Sequence, residues 1–231
     1  MFIAPQELST LIAKIFPDGV FSKETAEPVV ALTIDDVGDP STDQLLQVIS
    51  QHNQQSSDPI EQASATFFIT TSLLQTDDSI LLKLLDQGHE LGNHGVYDHT
   101  HANLSCTAFD QEFQQAHAAL TQETNATLKW FRPGRGRYNK TMLDTLKQTT
   151  GYNSLFALAS MIPLDTYEFT DRPDFTVRYV SKFVFPGSIL VFHGGSEART
   201  QNTAIALQQT LTYLREKQYR VVSLTELFEA F

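Results

Sequence analysis

The chain has 231 residues, with 16 Lys and Arg against 27 Asp and Glu, and a formal charge of −11. That acidity argues against a nucleic-acid or membrane partner, since either needs a basic footprint, and no apolar run is long enough to span a bilayer. The single Cys106 excludes an internal disulfide and gives no sign of a thiolate metal site.

With 41% apolar residues and 16 Phe, one large core is within reach. The first 21 residues lack the basic n-region and continuous apolar stretch of a signal peptide, so a cytoplasmic location is expected. Leu8, Leu11, Ile12 and Ile15 fall at helical spacing and predict an amphipathic helix. Residues 1–28 are therefore expected as a helical segment packed on a main domain over 29–231.

Residues 29–34 (VVALTI) carry no charge and do not alternate, which predicts a strand buried on both faces. Asp35 and Asp36 close it. Side chains alternate along a strand, so the two carboxylates share a side only where the backbone turns. A helix over 42–52, a polar loop to 64 and a second buried strand over 65–70 follow. Residues 79–87 read as a helix ended by Gly88, and 89–93 as a short strand. A long helix over 107–123, a strand over 129–131, a helix over 139–149 and a strand over 154–159 come next. The remainder reads as a helix over 175–185, a strand over 188–192, a helix over 200–218, a strand over 219–223 and a closing helix over 225–231. Seven strands alternating with helices imply parallel pairing through right-handed crossovers. A β/α barrel and an open doubly wound sheet both fit that order.

Ionisable residues cluster at the ends of these strands, where parallel α/β folds build their sites. After the third strand comes GNHGVYDHTH, with His94 and Asp98 four apart. Imidazole and carboxylate are both good Zn²⁺ ligands, and with Asp36 they make three ligands and leave a position open. His99 and His101 lie alongside. After the fourth strand, FRPGRGRY sets Arg132 before a Pro- and Gly-rich turn whose N–H groups could serve an oxyanion, with Arg132 in reach of Asp35. After the sixth, LVFHGG presents His193.

TIDD, GNHGVYD, FRPGRG and LVFH, in that order, with YRVVSLTEL near the end, resemble the motifs of the polysaccharide deacetylase family, the NodB-homology domain of carbohydrate esterase family 4. The resemblance implies a distorted barrel of seven or eight strands, one divalent metal (commonly Zn²⁺), and hydrolytic removal of acetyl groups from N-acetylated saccharides. It implies Asp35 as general base, Asp36 and His94 as metal ligands, and Arg132 as the group that orients Asp35. Arg135 would supply an oxyanion N–H, Asp165 would tune the catalytic His through the Arg network, and His193 would be the general acid. The family's second His ligand aligns without a gap on Asp98; a one-residue bulge bringing in His99 is the alternative. Val37 replaces a usual Gly, Gly134 a usual second Pro, Gly194 a frequent Asp, and the Trp that often follows Asp165 is missing. Two rival functions remain at this level: an amidase acting on small cyclic or linear amides, and a non-catalytic carbohydrate-binding relative.

Overall fold

The computed structural model describes residues 4–56, 58–75, 79–122, 124–162, 165–166 and 170–231. Its strands are β1 (Gly19–Val20), β2 (Val29–Val37), β3 (Thr66–Ile69), β4 (Glu90–Asn93), β5 (Phe156–Ala157), β6 (Ile189–His193) and β7 (Arg220–Val222). The α-helices are α1 (Pro5–Ile15), α2 (Thr42–Asn53), α3 (Ile80–Asp86), α4 (Cys106–Thr121), α5 (Lys140–Gln148), α6 (Pro173–Phe183), α7 (Glu197–Glu216) and α8 (Leu224–Ala230).

β2 is buried along its whole length and carries the sheet. One edge pairs with β6, from Ala31 opposite Ile189 to Asp35 opposite His193. The other is shared between β7 at its start and β3 at its end, all parallel. β4 extends the sheet beyond β3, and β1 pairs with β5. Isolated parallel bridges complete the circuit: Asn93 with Phe131, and Met161 with Leu190. The Ala157 N–H donates to the Phe131 carbonyl between them. The open-sheet alternative is thereby set aside in favour of a distorted barrel.

The strand expected over 129–131 survives only as the Phe131 bridge, because Pro133 and the turn after it stop the pairing. β1, too short to leave a periodic signal, was not anticipated. Most helix boundaries shift by one to three residues for reasons of capping. Pro173 starts α6 at its first turn, and the side chains of Ser105, Asn139, Ser196 and Ser223 cap α4, α5, α7 and α8. The expected helix over 107–123 extends to residue 123, which lies outside the described residues.

Alternation divides the core. Val29 and Ala31 point into the barrel with Phe68, Ala157 and Ile189, while Val30, Leu32 and Ile34 pack beneath the helices. Period two then sends Thr33 and Asp35 inward. α1 is attached differently from expectation. Leu8, Leu11 and Ile15 are 46%, 48% and 62% exposed, and the buried residue of the helix is Ser9, bonded to Ser22 at 2.7 Å.

Candidate metal and catalytic site

The barrel's carboxyl end opens into a cleft of about 650 Å³, within the usual range for ligand sites. Asp35 and Asp36 both line it, and the backbone explains how. Asp36 has φ 55°, and the register against β3 slips between Ile34 and Val37. A left-handed conformation costs a non-glycine residue ~1–2 kcal/mol. Here it turns the second carboxylate into the cleft beside the first.

Asp35 is buried against Arg132, Oδ1 to Nη1 at 2.6 Å. The guanidinium is held from every side. Nη1 also donates to Thr33 Oγ1 at 2.7 Å, Nε to the Ala157 carbonyl, Nη2 to the Leu158 carbonyl, and its plane lies 4.1 Å from the Phe68 ring centre. Burial alone would raise the Asp35 pKa, but Arg132, helped by His94 and His193, outweighs it and holds the carboxyl below the ordinary value. Asp35 is thus a buried anion at neutral pH.

His94 shows which of its nitrogens is free. Nδ1 lies 2.8 Å from the Arg132 carbonyl, an acceptor, so in the neutral ring the proton resides there and Nε2 keeps its lone pair. That lone pair lies 3.5 Å from Asp36 Oδ1, too far and of the wrong kind for a good hydrogen bond. Asp36 Oδ1 is buried and has no hydrogen-bond partner among the described residues. Ligand atoms of Asp36, His94 and Asp98 lie within 4.8 Å of one another. Burial, with Asp35 and Asp98 adding and His94 opposing, raises the Asp36 pKa. Two acceptors facing each other across a buried gap suit a cation, and the donor set fits a divalent ion. Asp98 is exposed, and its Oδ2 pairs with Arg135 Nη2 at 2.9 Å, which leaves Oδ1 for a ligand.

A second group, His99, His101 and Glu112, is equally close-set, but its chemistry differs. His101 Nδ1 accepts from the Gly134 N–H at 2.8 Å, so in the neutral ring Nε2 carries the proton and faces Glu112. Burial, then nearby His94, lowers the His101 pKa to about 4 and keeps the ring neutral. His99 Nε2 is 2.9 Å from Glu112 Oε2, turned away from the Asp36 group.

His193, opposite Asp35 in register, has Nδ1 2.6 Å from Asp165 Oδ1, and its N–H donates to Oδ2 at 3.0 Å. This corrects the expected route through an Arg network: Asp165 contacts the imidazole directly, and Arg132 serves Asp35 instead. Pro163 and Leu164, before Asp165, lie outside the described residues. Burial lowers the His193 pKa, but Asp165 reverses this and carries it to about 8, so the ring is an imidazolium at neutral pH.

Arg135 sits at φ 61° in the turn after Pro133. The N–H groups of Gly136 and Arg137 bond back to Pro133 and Gly134, while that of Arg135 has no backbone acceptor among the described residues, at the wall of the cleft.

The departures from the motifs have steric causes. A Cβ on Gly194 would stand 2.9 Å from Val37 Cγ1, so the larger residue at 37 and the smaller at 194 go together. A Cβ on Gly134 would stand 2.0 Å from the His99 carbonyl oxygen, which forbids proline there. Thr33, Phe68 and Glu112 went unnoticed in the sequence. Only Thr33 left a signal, as a hydroxyl in an otherwise apolar strand.

A β/α barrel with carboxylates and imidazoles gathered at the carboxyl ends of several strands defines a class, that of barrel proteins with a polar centre on the strand-end face. The family profile described as polysaccharide deacetylase matches residues 22–154, and the chain belongs to that family. It is 28% identical over 202 residues to a peptidoglycan-N-acetylglucosamine deacetylase of Bacillus cereus, covering 87% of this chain and 88% of that one. It is 29% identical over 220 residues to a chitooligosaccharide deacetylase of Sinorhizobium fredii, covering 87% and 93%. Among solved structures, the Xyl-CE4 domain of a multidomain xylanase from the hindgut metagenome of Trinervitermes trinervoides superimposes with TM-score 0.76 at 24% identity, covering 88% and 91%. A CE4 family pseudoenzyme from Bacillus anthracis gives 0.75 at 21%, covering 92% and 69%. Both carry the same barrel. Among the described residues no helix is long and apolar enough to cross a membrane.

Proposed function

We propose that the chain is a divalent-metal-dependent hydrolase that removes N-acetyl groups from a carbohydrate, with residues 29–231 as the deacetylase domain and 1–28 attached to it. The observation that carries this reading is the buried Asp36 Oδ1, without a hydrogen-bond partner among the described residues, facing the His94 lone pair, with the Asp35 anion on one side and the His193 cation on the other. The names of the relatives support the substrate class.

Asp36, His94 and Asp98 would hold the ion. A bound divalent ion supplies Lewis acidity toward the acetyl carbonyl and the attacking water. Asp35, kept ionised by Arg132, takes the proton of the water as it adds to the acetamide carbon. The Arg135 N–H donates to the oxygen on which negative charge develops, a contribution of about 3–4 kcal/mol for a well-placed donor. His193 gives its proton to the leaving amine, and Asp165 stabilises the charged ring until then.

The test is acetate release from N-acetylated chito-oligosaccharides with Zn²⁺ or Co²⁺ supplied, compared with cyclic imides and ureides. Release from the saccharides that stops on chelation is the expected result. No release from any substrate, even with Zn²⁺ or Co²⁺ supplied, would point to the non-catalytic reading.

Asp98 brings a negative charge where the family's pattern has a neutral imidazole, and that charge weakens a held cation as a Lewis acid. Asp98→His is therefore expected to shift the acid limb of the pH–rate profile to lower pH, while the alkaline limb, set by His193, stays in place. An unmoved acid limb would count against Asp98 as a ligand.

A further inference from the structure

Glu112 on α4 lies outside the residues assigned to the chemistry, yet it ties the site's two loops together. Its Oε1 accepts from the N–H groups of Val96 and Tyr97 at 3.1 and 3.2 Å, midway between His94 and Asp98 in the chain. The same carboxylate receives His99 Nε2 at 2.9 Å and faces His101 Nε2 at 3.4 Å. His101 in turn accepts the Gly134 N–H, one residue before the Arg135 turn. The fit leaves no slack. A Cβ on Gly95 would stand 2.3 Å from His101 Nε2, and one on Gly134 would stand 2.0 Å from the His99 oxygen.

We infer that Glu112 is a positioning residue. Through two backbone N–H groups it sets the separation of His94 and Asp98, and through His101 it locks the turn that presents the Arg135 N–H. A charged acceptor suits the task because hydrogen bonds to a carboxylate are roughly twice as strong as neutral ones; three donors bond to it, and His101 Nε2 faces it at 3.4 Å. His99 and His101 thereby acquire a role other than metal ligation.

The inference rests on the metal-dependent reading above, so wild-type Zn²⁺ affinity is measured first, by competition with a chromophoric chelator. Glu112→Ala is expected to weaken Zn²⁺ binding by about 10–100-fold, as is usual when a group supporting metal ligands is lost. Glu112→Gln, which keeps an oxygen for the same N–H groups, should recover most of that. Leu120→Ala, a core truncation on the same helix, should lower the melting temperature and leave the Zn²⁺ affinity within about threefold, a margin allowed for measurement. His101→Leu should reduce kcat by about 10–100-fold with little change in KM. Wild-type Zn²⁺ affinity in Glu112→Ala, or a parallel loss of affinity in Leu120→Ala, overturns the inference while the deacetylase reading stands. A wild-type chain that binds no ion overturns both.

Discussion

With Arg132 replaced by methionine, the folded chain is expected to lose about 3–5 kcal/mol, the usual result of removing one partner of a buried ion pair. Arg132 and Asp35 are both nearly inaccessible, and the guanidinium makes four donations that a methionine cannot replace. Asp35→Leu combined with Arg132→Met should regain much of the stability, since no charge is then stranded in the barrel. Urea denaturation of the two single variants and the double variant measures this. A loss below about 1 kcal/mol in Arg132→Met would mean that the pair is solvated.

The pH dependence should reverse in the same experiment. In the wild type the folded Asp35 pKa lies below its unfolded value of 3.8. Its contribution is therefore present above that value and lost as pH falls through the folded pKa. Without Arg132, burial raises the folded pKa above 3.8. The variant's stability is then best at acid pH and declines as pH rises through the new value. Activity at neutral pH should drop by about 10²–10⁴, the range for a lost general base.

His193→Gln is the second large effect. The rate should fall by about 10²–10⁴, because the leaving amine loses its proton donor. The pH profile is the more diagnostic measurement. Burial lowers the His193 pKa and Asp165 more than reverses it, to about 8. The acid form is the active one, so wild-type kcat/KM should decline as pH rises through about 8, and the Gln variant should lose that limb. Asp165→Asn should retain the limb but move it to lower pH, since an amide no longer favours the imidazolium. An alkaline limb unmoved in Asp165→Asn would show that another group sets it. The stability contribution of His193 has the corresponding sign: complete below the unfolded value of 6.5, and lost as pH rises through about 8.

Much of the fold was legible because buried parallel strands are long uncharged runs and helices announce themselves by period and cap. The lost strand at Phe131 and the unforeseen β1 mark the limit of that reading: segments of two or three residues pair only because neighbouring strands hold them in place. The site residues were legible as chemical types, since ionisable groups directly after apolar strands are conspicuous. Their partnerships were less so. The direct Asp165–His193 contact depends on where a loop 28 residues upstream of the imidazole folds back.

The linear order of residues thus determined the alternation of buried parallel strands with helices, the family and the roster of carboxylates and imidazoles at the strand ends, because burial on two faces and polarity at strand ends are local properties. Closure into a barrel rather than an open sheet was decided by the bridges between distant segments. Which nitrogen of each histidine is free was decided only in three dimensions. His94 meets a carbonyl and His101 an N–H, so the former keeps a lone pair toward Asp36 and the latter turns a proton toward Glu112. The physical reason is that a tautomer is set by the group across the gap, and chain distance says nothing about which group that will be.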